Sequence, residues 1–298
     1  MFVLECKKVW KKIDHHVIVS DLSLTLNEGE ILGFIGPNGA GKTTSIKLLL
    51  GLQTLSGGSI KILGYDLKKD FVKAISQVGA IVENPDMYMY LTGDENLRIA
   101  ASFYQVPKSR IDEVVKRVGL EAKIHEKVKT YSLGMRERLG IATAILHKPK
   151  LLILDEPMNG LDPEGIRELK DLLISLAKEE KMAILISSHI LSELESFCTR
   201  ICIFIKGRVE KDATIEAIRN LTAKECYQLE VNQTNLDQIL TTYHIIDDTH
   251  IEVSTTKEGI VNLIKALLLN DILVYEVKRK RLSLEEVFLK IMESSHDL

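Results

Sequence analysis

The sequence predicts an α/β fold with a mainly parallel sheet, followed by a small α+β unit. Three observations carry that expectation. A short apolar strand, Ile31–Ile35, runs through a glycine-rich loop into a helix beginning at Lys42. Further short apolar segments then alternate with helical stretches, the pattern of strands covered by helices on both faces. After about Asp212 the character changes to short strands and helices of a separate kind. A length of 298 residues suits two domains at roughly 150 residues each, and we place them at 1–215 and 216–298.

Composition narrows the function classes. Hydrophobic residues make up 45% of the chain, enough for a full core. A net charge of -3 gives no basic field that would draw nucleic acid, so no nucleic-acid partner is expected. Apolar runs such as Leu151–Leu154 and Ala266–Leu269 fall far short of the ~20 residues of a membrane helix. Met1–Lys12 lacks the basic start and apolar stretch of a secretion signal. A membrane role is therefore expected through a partner. The four cysteines, Cys6, Cys198, Cys202 and Cys226, form no CxxC pair, so buried reduced thiols are expected. Cys198 and Cys202 are spaced to share a helix face.

In order along the chain, residues 2–35 read as strands, with a turn at Asn27-Glu28-Gly29 before the buried run Ile31–Ile35. Residues 36–41 are a loop, and Lys42–Leu50 a helix closed by Gly51. Residues 75–82 read as a strand. From Thr92 to His147 the pattern is mostly helical, with breaks at Pro107, Gly119 and Gly134. Leu151–Leu154 is an apolar strand, Pro163–Glu180 an amphipathic helix and Ala183–Ser187 a strand. The appendage reads as strand 226–231, helix 235–243, strand 250–255, helix 257–269, strand 272–278 and a final helix from Ser283, where Glu286 completes a capping box.

Gly36-Pro37-Asn38-Gly39-Ala40-Gly41-Lys42-Thr43 fits the phosphate-binding pattern G-x-x-x-x-G-K-[ST] in its required strand–loop–helix setting. Backbone N–H groups of such a loop form a donor nest, and the helix start adds positive charge. Gly39 and Gly41 let the backbone approach phosphate oxygens. Lys42 supplies charge for the β/γ-phosphates, and Thr43 a hydroxyl for Mg²⁺. Thr44 joins them as a nucleotide-binding residue. About 110 residues later, Leu151–Leu154 delivers Asp155 and Glu156 at a strand's carboxyl end. Asp155 suits Mg²⁺, and Glu156 suits general-base activation of water.

Three further elements name a family. Ser132-Leu133-Gly134-Met135-Arg136-Glu137-Arg138 resembles the signature of ABC ATPases, with Leu133 and Met135 replacing the usual Gly and Gln. Asn159-Gly160-Leu161-Asp162 resembles the D-loop. Ser187-Ser188-His189 resembles the switch histidine. With the P-loop and the acidic strand, this order resembles the ABC ATPase family over about residues 2–220. The resemblance implies a P-loop ATPase domain with a mainly parallel core sheet, an antiparallel β subdomain and a helical subdomain at about 84–147. It implies ATP and Mg²⁺ as ligands, and a second ATPase subunit, a homodimer, packed head to tail. It implies transmembrane permease subunits as partners and a place at the cytoplasmic face of the membrane. Ser132 and Gly134 would then grip the γ-phosphate held by the partner's P-loop. His189 would contact the γ-phosphate, and Asp162 would communicate across the dimer.

Departures narrow the branch. Glu83 stands where the family usually has a glutamine bridging Mg²⁺ and the transporter. It is read as a catalytic and metal-binding residue, against a solvated acid that turns away. This glutamate, the signature form and the C-terminal ending Ser283–Phe288 resemble the branch that protects bacteria against bacitracin and lantibiotics. Exporters of another drug, lipid or polysaccharide, and non-transport ABC ATPases, are the alternatives. Ile13 falls where the family stacks an aromatic ring on adenine; Trp10 is the other candidate, or a packing residue. Met87-Tyr88-Met89-Tyr90-Leu91 is read either as a groove for a permease helix or as core of the helical subdomain. Lys278-Arg279-Lys280-Arg281 is read as a solvated hairpin, with lipid headgroups the other reading.

Overall fold

Alternating burial makes the first sheet: Val3, Leu4, Cys6 and Val9 on β1 (Phe2–Ile13) and Val19, Leu22, Leu24 and Leu26 on β2 (His16–Asn27) all face one core. β3 (Ile31–Ile35) is buried at every position, as a strand covered on both faces must be. There follow α1 (Lys42–Leu49), β4 (Gly57–Ile62), β5 (Tyr65–Asp66), α2 (Phe71–Ile75) and β6 (Val78–Ile81). A helical segment holds α3 (Gly93–Tyr104), α4 (Lys108–Arg117) and α5 (Leu133–Ile145). Then come β7 (Leu151–Leu154), α6 (Pro163–Glu179), β8 (Ala183–Ser188), α7 (Leu191–Glu195), β9 (Arg200–Ile205), β10 (Arg208–Thr214) and α8 (Ile215–Arg219). The ten strands form one sheet in the order β5-β4-β1-β2-β10-β9-β3-β8-β7-β6. From β9 to β6 all neighbours are parallel; β1, β2, β4 and β5 pair antiparallel. The carboxyl ends of β3, β6, β7 and β8 therefore lie along one edge, where such sheets hold ligands.

This computed structural model describes residues 2–83, 85–219, 225–232, 236 and 243–280. The chain divides into two compact units, Met1–Ile215 and Glu216–Leu298. The second holds β11 (Glu225–Val231), β12 (His244–Ile245), β13 (His250–Thr255), α9 (Lys257–Leu269) and β14 (Val274–Lys280). Its sheet has the order β12-β13-β11-β14 and is antiparallel throughout. Leu229, Val231, Ile251 and Val253 from the sheet meet Ile260 and Leu267 of α9 in a core of its own. The expected helix 235–243 lies outside the described residues except for Leu236 and Tyr243. The expected helix from Ser283, with its capping box, lies wholly outside them, as do Asn84 and Arg281.

Several expectations need correction. Ile75 closes α2 instead of opening a strand, and β6 is limited to Val78–Ile81. Gly134 does not break the helix but is its second residue. The cap is Ser132, whose hydroxyl accepts from the Met135 N–H at 3.2 Å. The strand expected at 272–278 runs from Val274 to Lys280. β9, β10 and β12 are not among the elements the sequence pattern assigns. Cys198 and Cys202 share no helix, since Cys202 sits in β9; all four cysteines are buried, and none is in a disulfide among the described residues. Burial pushes the Cys6, Cys198 and Cys202 thiols up, which keeps them unreactive. Tyr88 and Tyr90 are exposed and form no part of a core.

Candidate functional site

The phosphate loop is shaped from behind. β3 brings Gly36 against the Phe204 carbonyl of β9, so that a Cβ there would sit 2.1 Å from that oxygen. Gly41 caps α1 at φ 99, beside the Ile18 carbonyl of β2. Both positions demand glycine. Gly39, at φ 80, faces open space with nothing within 4 Å of a built Cβ. Pro37 and Asn38 complete the rim, Ala40 is buried, and Thr43 and Thr44 are half-buried on the first turn of α1. The Lys42 ammonium, only 5% exposed, donates to the Gly36 carbonyl at 2.8 Å and lies 3.2 Å from Glu156 Oε1.

The acids come from the end of β7. The Asp155 N–H donates to the Ile81 carbonyl of β6 at 2.9 Å, tying the strand ends together. Asp155 itself is buried, and its Oδ1 accepts the Ser187 hydroxyl at 2.6 Å. The Glu156 N–H donates to the same hydroxyl at 2.9 Å. Glu156 sits at φ 50, the left-handed region that a residue with a Cβ enters at a cost. From there its carboxylate reaches Lys42 with one oxygen and His189 Nδ1, at 2.8 Å, with the other. One carboxylate thus joins the phosphate loop to the end of β8. A cavity of about 110 Å³ opens beside it, lined among others by Glu156, Met158, Asn159, Ser187 and His189.

Ser132 and Gly134 lie elsewhere in the unit. Gly134 faces Leu161 and Gly165, and Leu133 packs on Gly160, so the start of α5 rests on the turn before α6. That turn ends in Asp162, the cap of α6, which accepts from the Gly165 N–H at 2.9 Å, with Pro163 following as the first helical residue. Among the described residues no hydrogen bond or ion pair joins Ser132 or Gly134 to Lys42, Glu156 or His189.

Comparison with known proteins fixes the family. The ABC transporter family model matches residues 19–159. An uncharacterised ABC transporter ATP-binding protein of Bacillus subtilis (strain 168), YhcH, is 47% identical over 97% of this chain and 95% of its own length. The chain belongs to the ABC transporter ATP-binding proteins. The bacitracin transport ATP-binding protein BcrA of Bacillus licheniformis is 38% identical over 95% of this chain and 92% of that protein. A solved ATP-binding subunit of an ABC transporter superposes with a TM-score of 0.65 at 33% identity, covering 73% of this chain and 92% of that one. The protein is thus a nucleotide-binding ATPase subunit of a transporter, a class that implies membrane permease partners. Among its described residues no helix is long and apolar enough to cross a membrane.

Within this ABC ATPase the remaining predicted residues are scattered. Glu83, two residues past β6 and at φ 64, pairs with Lys47 of α1 at 2.9 Å and is exposed. Ile13 ends β1 at the hairpin, opposite His16, and is 39% exposed. Trp10 packs its indole on Gly57 of β4, where a Cβ would lie 2.0 Å from Nε1. Two features lie inside the quoted motifs, Ser187 before the switch histidine and Glu137 in the signature run, but the motifs assign neither of them a role. Ser187 bonds to both acidic residues. Glu137, on the signature helix, is buried with Oε2 unpartnered, and burial pushes its carboxyl up to about 7. No sequence signal marks Glu137 as buried, since it stands between Arg136 and Arg138.

Proposed function

We propose that this ATPase powers a separate exporter permease that removes antimicrobial peptides of the bacitracin or lantibiotic type. Two copies pair head to tail around ATP. Residues 36–41, Lys42, Thr43 and Thr44 hold the phosphates. Ser132 and Gly134 of the other copy close over the γ-phosphate from a helix start. Glu156 takes a proton from the water that attacks the γ-phosphorus while the bond to the ADP oxygen breaks. His189 orients that water and the γ-phosphate. Asp162 carries the state of one site to the other. Ile13 packs against the adenine by apolar contact.

The residues present suit Mg²⁺. No cluster of three or more His, Cys, Asp or Glu among the described residues could hold a metal alone, and Mg²⁺ ordinarily takes few protein ligands beside water and phosphate. Thr43, Asp155 and Glu83 would hold it, and it would neutralise charge developing on the phosphates. Glu83 must first leave Lys47.

The observation that carries this reading is the Glu156 carboxylate set between Lys42 and His189. The signature face, unpaired with that site inside one chain, supports completion by a second copy. The exposed Tyr88 and Tyr90 give an apolar surface for a permease helix at the cell membrane. The bacitracin transport relative supports the cargo. Glu156→Gln should lower turnover at least about 10²-fold and leave an ATP-bound dimer detectable by light scattering, while a deletion strain should become sensitive to bacitracin or a lantibiotic. Unchanged turnover removes Glu156 as base; unchanged sensitivity to both removes the cargo.

A further inference from the structure

Ser187 is fully buried, one residue beyond the last β7–β8 pair, Leu154 with Ile186, and opposite Phe34 of β3. It lies at the level where the β7 chain leaves the sheet. Its hydroxyl uses both of its capacities on the two acids: it donates to Asp155 Oδ1 at 2.6 Å and accepts from the Glu156 N–H at 2.9 Å. The second bond holds a residue whose φ of 50 is unfavourable for a side chain. From that backbone the Glu156 carboxylate reaches His189 and Lys42. Without the hydroxyl the Glu156 N–H loses its acceptor and Asp155 Oδ1 loses this donor at the same moment.

We infer that Ser187 is a positioning residue for hydrolysis, whose hydroxyl sets the turn that aims Glu156 and fixes the Asp155 carboxylate beside it. It touches no reacting atom; it acts through the two acids. Threonine at this position keeps the hydroxyl and adds one methyl group. Cysteine keeps the size but offers only a weak donor and acceptor. Ser187 has this role only if Glu156 is the base, so Glu156→Gln is measured alongside.

The test compares Ser187→Ala, Ser187→Cys and Ser187→Thr in the full chain with its permease. Readouts are kcat, KM for ATP, melting temperature, and ATP affinity in the presence of EDTA. Ala and Cys should lower kcat about 10–100-fold, the loss expected from a misplacement near 1 Å. KM and metal-free affinity should stay within about threefold, because the phosphate loop is untouched. Thr should hold kcat within about threefold of the parent. A parental kcat in Ala or Cys overturns the role, and so does a Thr variant as impaired as Cys. Should Ala fail to fold, Cys against Thr decides. A full loss in Glu156→Gln with no loss in Ser187→Cys rejects Ser187 alone; no loss in Glu156→Gln rejects the base itself.

Discussion

At the scale of single residues, the site divides into what is local in sequence and what is not. Gly36–Thr43 and Asp155-Glu156 are contiguous, and their chemistry follows from residue type and spacing, so both are legible in the amino-acid sequence. The pairing of Glu83 with Lys47 joins residues 36 apart, and nothing near either one announces it. Ser187 is named in the sequence only as part of the run that ends in His189, and only the parallel register of β7 with β8 turns it toward the acids. Glu137 shows the same limit and yields a prediction. Folded, its carboxyl holds a proton up to about pH 7, whereas its ordinary value is 4.5. A raised value means that unfolding releases a proton between those limits, so stability is full below 4.5 and declines as pH rises through 7. Melting curves from pH 5 to 8 should fall for the parent and flatten for Glu137→Gln, with about 2–4 °C for each kcal/mol involved. Parallel slopes would show that the proton on Glu137 contributes nothing.

At the scale of elements, caps and buried runs are readable, and pairings decided by distant strands are not. After Arg200, β9 is an apolar run, yet its place beside β3 depends on residues more than 160 positions earlier. Gly134 misleads because glycine usually ends helices; here it lies in the first turn behind the Ser132 cap and faces Leu161 and Gly165. The other end of the signature helix is held by a buried side chain. Arg110 of α4 donates to the Ile145 carbonyl at 2.7 Å and the Leu146 carbonyl at 3.1 Å, while Glu113 accepts from it at 2.7 Å. These are carbonyls that a helix cannot satisfy internally. Next to them Tyr104 stacks on His147, which reaches the Val78 carbonyl of β6. Arg110→Met should therefore lower stability by about 1–3 kcal/mol, measured by denaturant titration, while ATP affinity well below the melting point stays close to parental. A variant as stable as the parent would show that the α5 terminus finds its partners elsewhere.

For the whole molecule, the α/β class with its appendage is readable because the motif-bearing loops end with His189, before the second unit begins at Glu216. That unit has its own apolar centre, with Ile251 fully buried between Leu229 and Ile260. Ile251→Ala should cost about 2–5 kcal/mol within that unit alone. Calorimetry should then resolve a lowered transition for the C-terminal part, with hydrolysis at low temperature unchanged; one transition moved as a whole would show the two units to be a single cooperative block. The placement of β9 reaches further. Because the Phe204 carbonyl lies hard against Gly36, the first glycine of the nucleotide cradle answers to the scaffold before it answers to ATP. A descendant that had ceased to burn ATP would be free to exchange Lys42 or Glu156, yet any side chain at Gly36 would still pry the central strands apart. In such a silent relative, Gly36 would outlast the chemistry it is usually credited with.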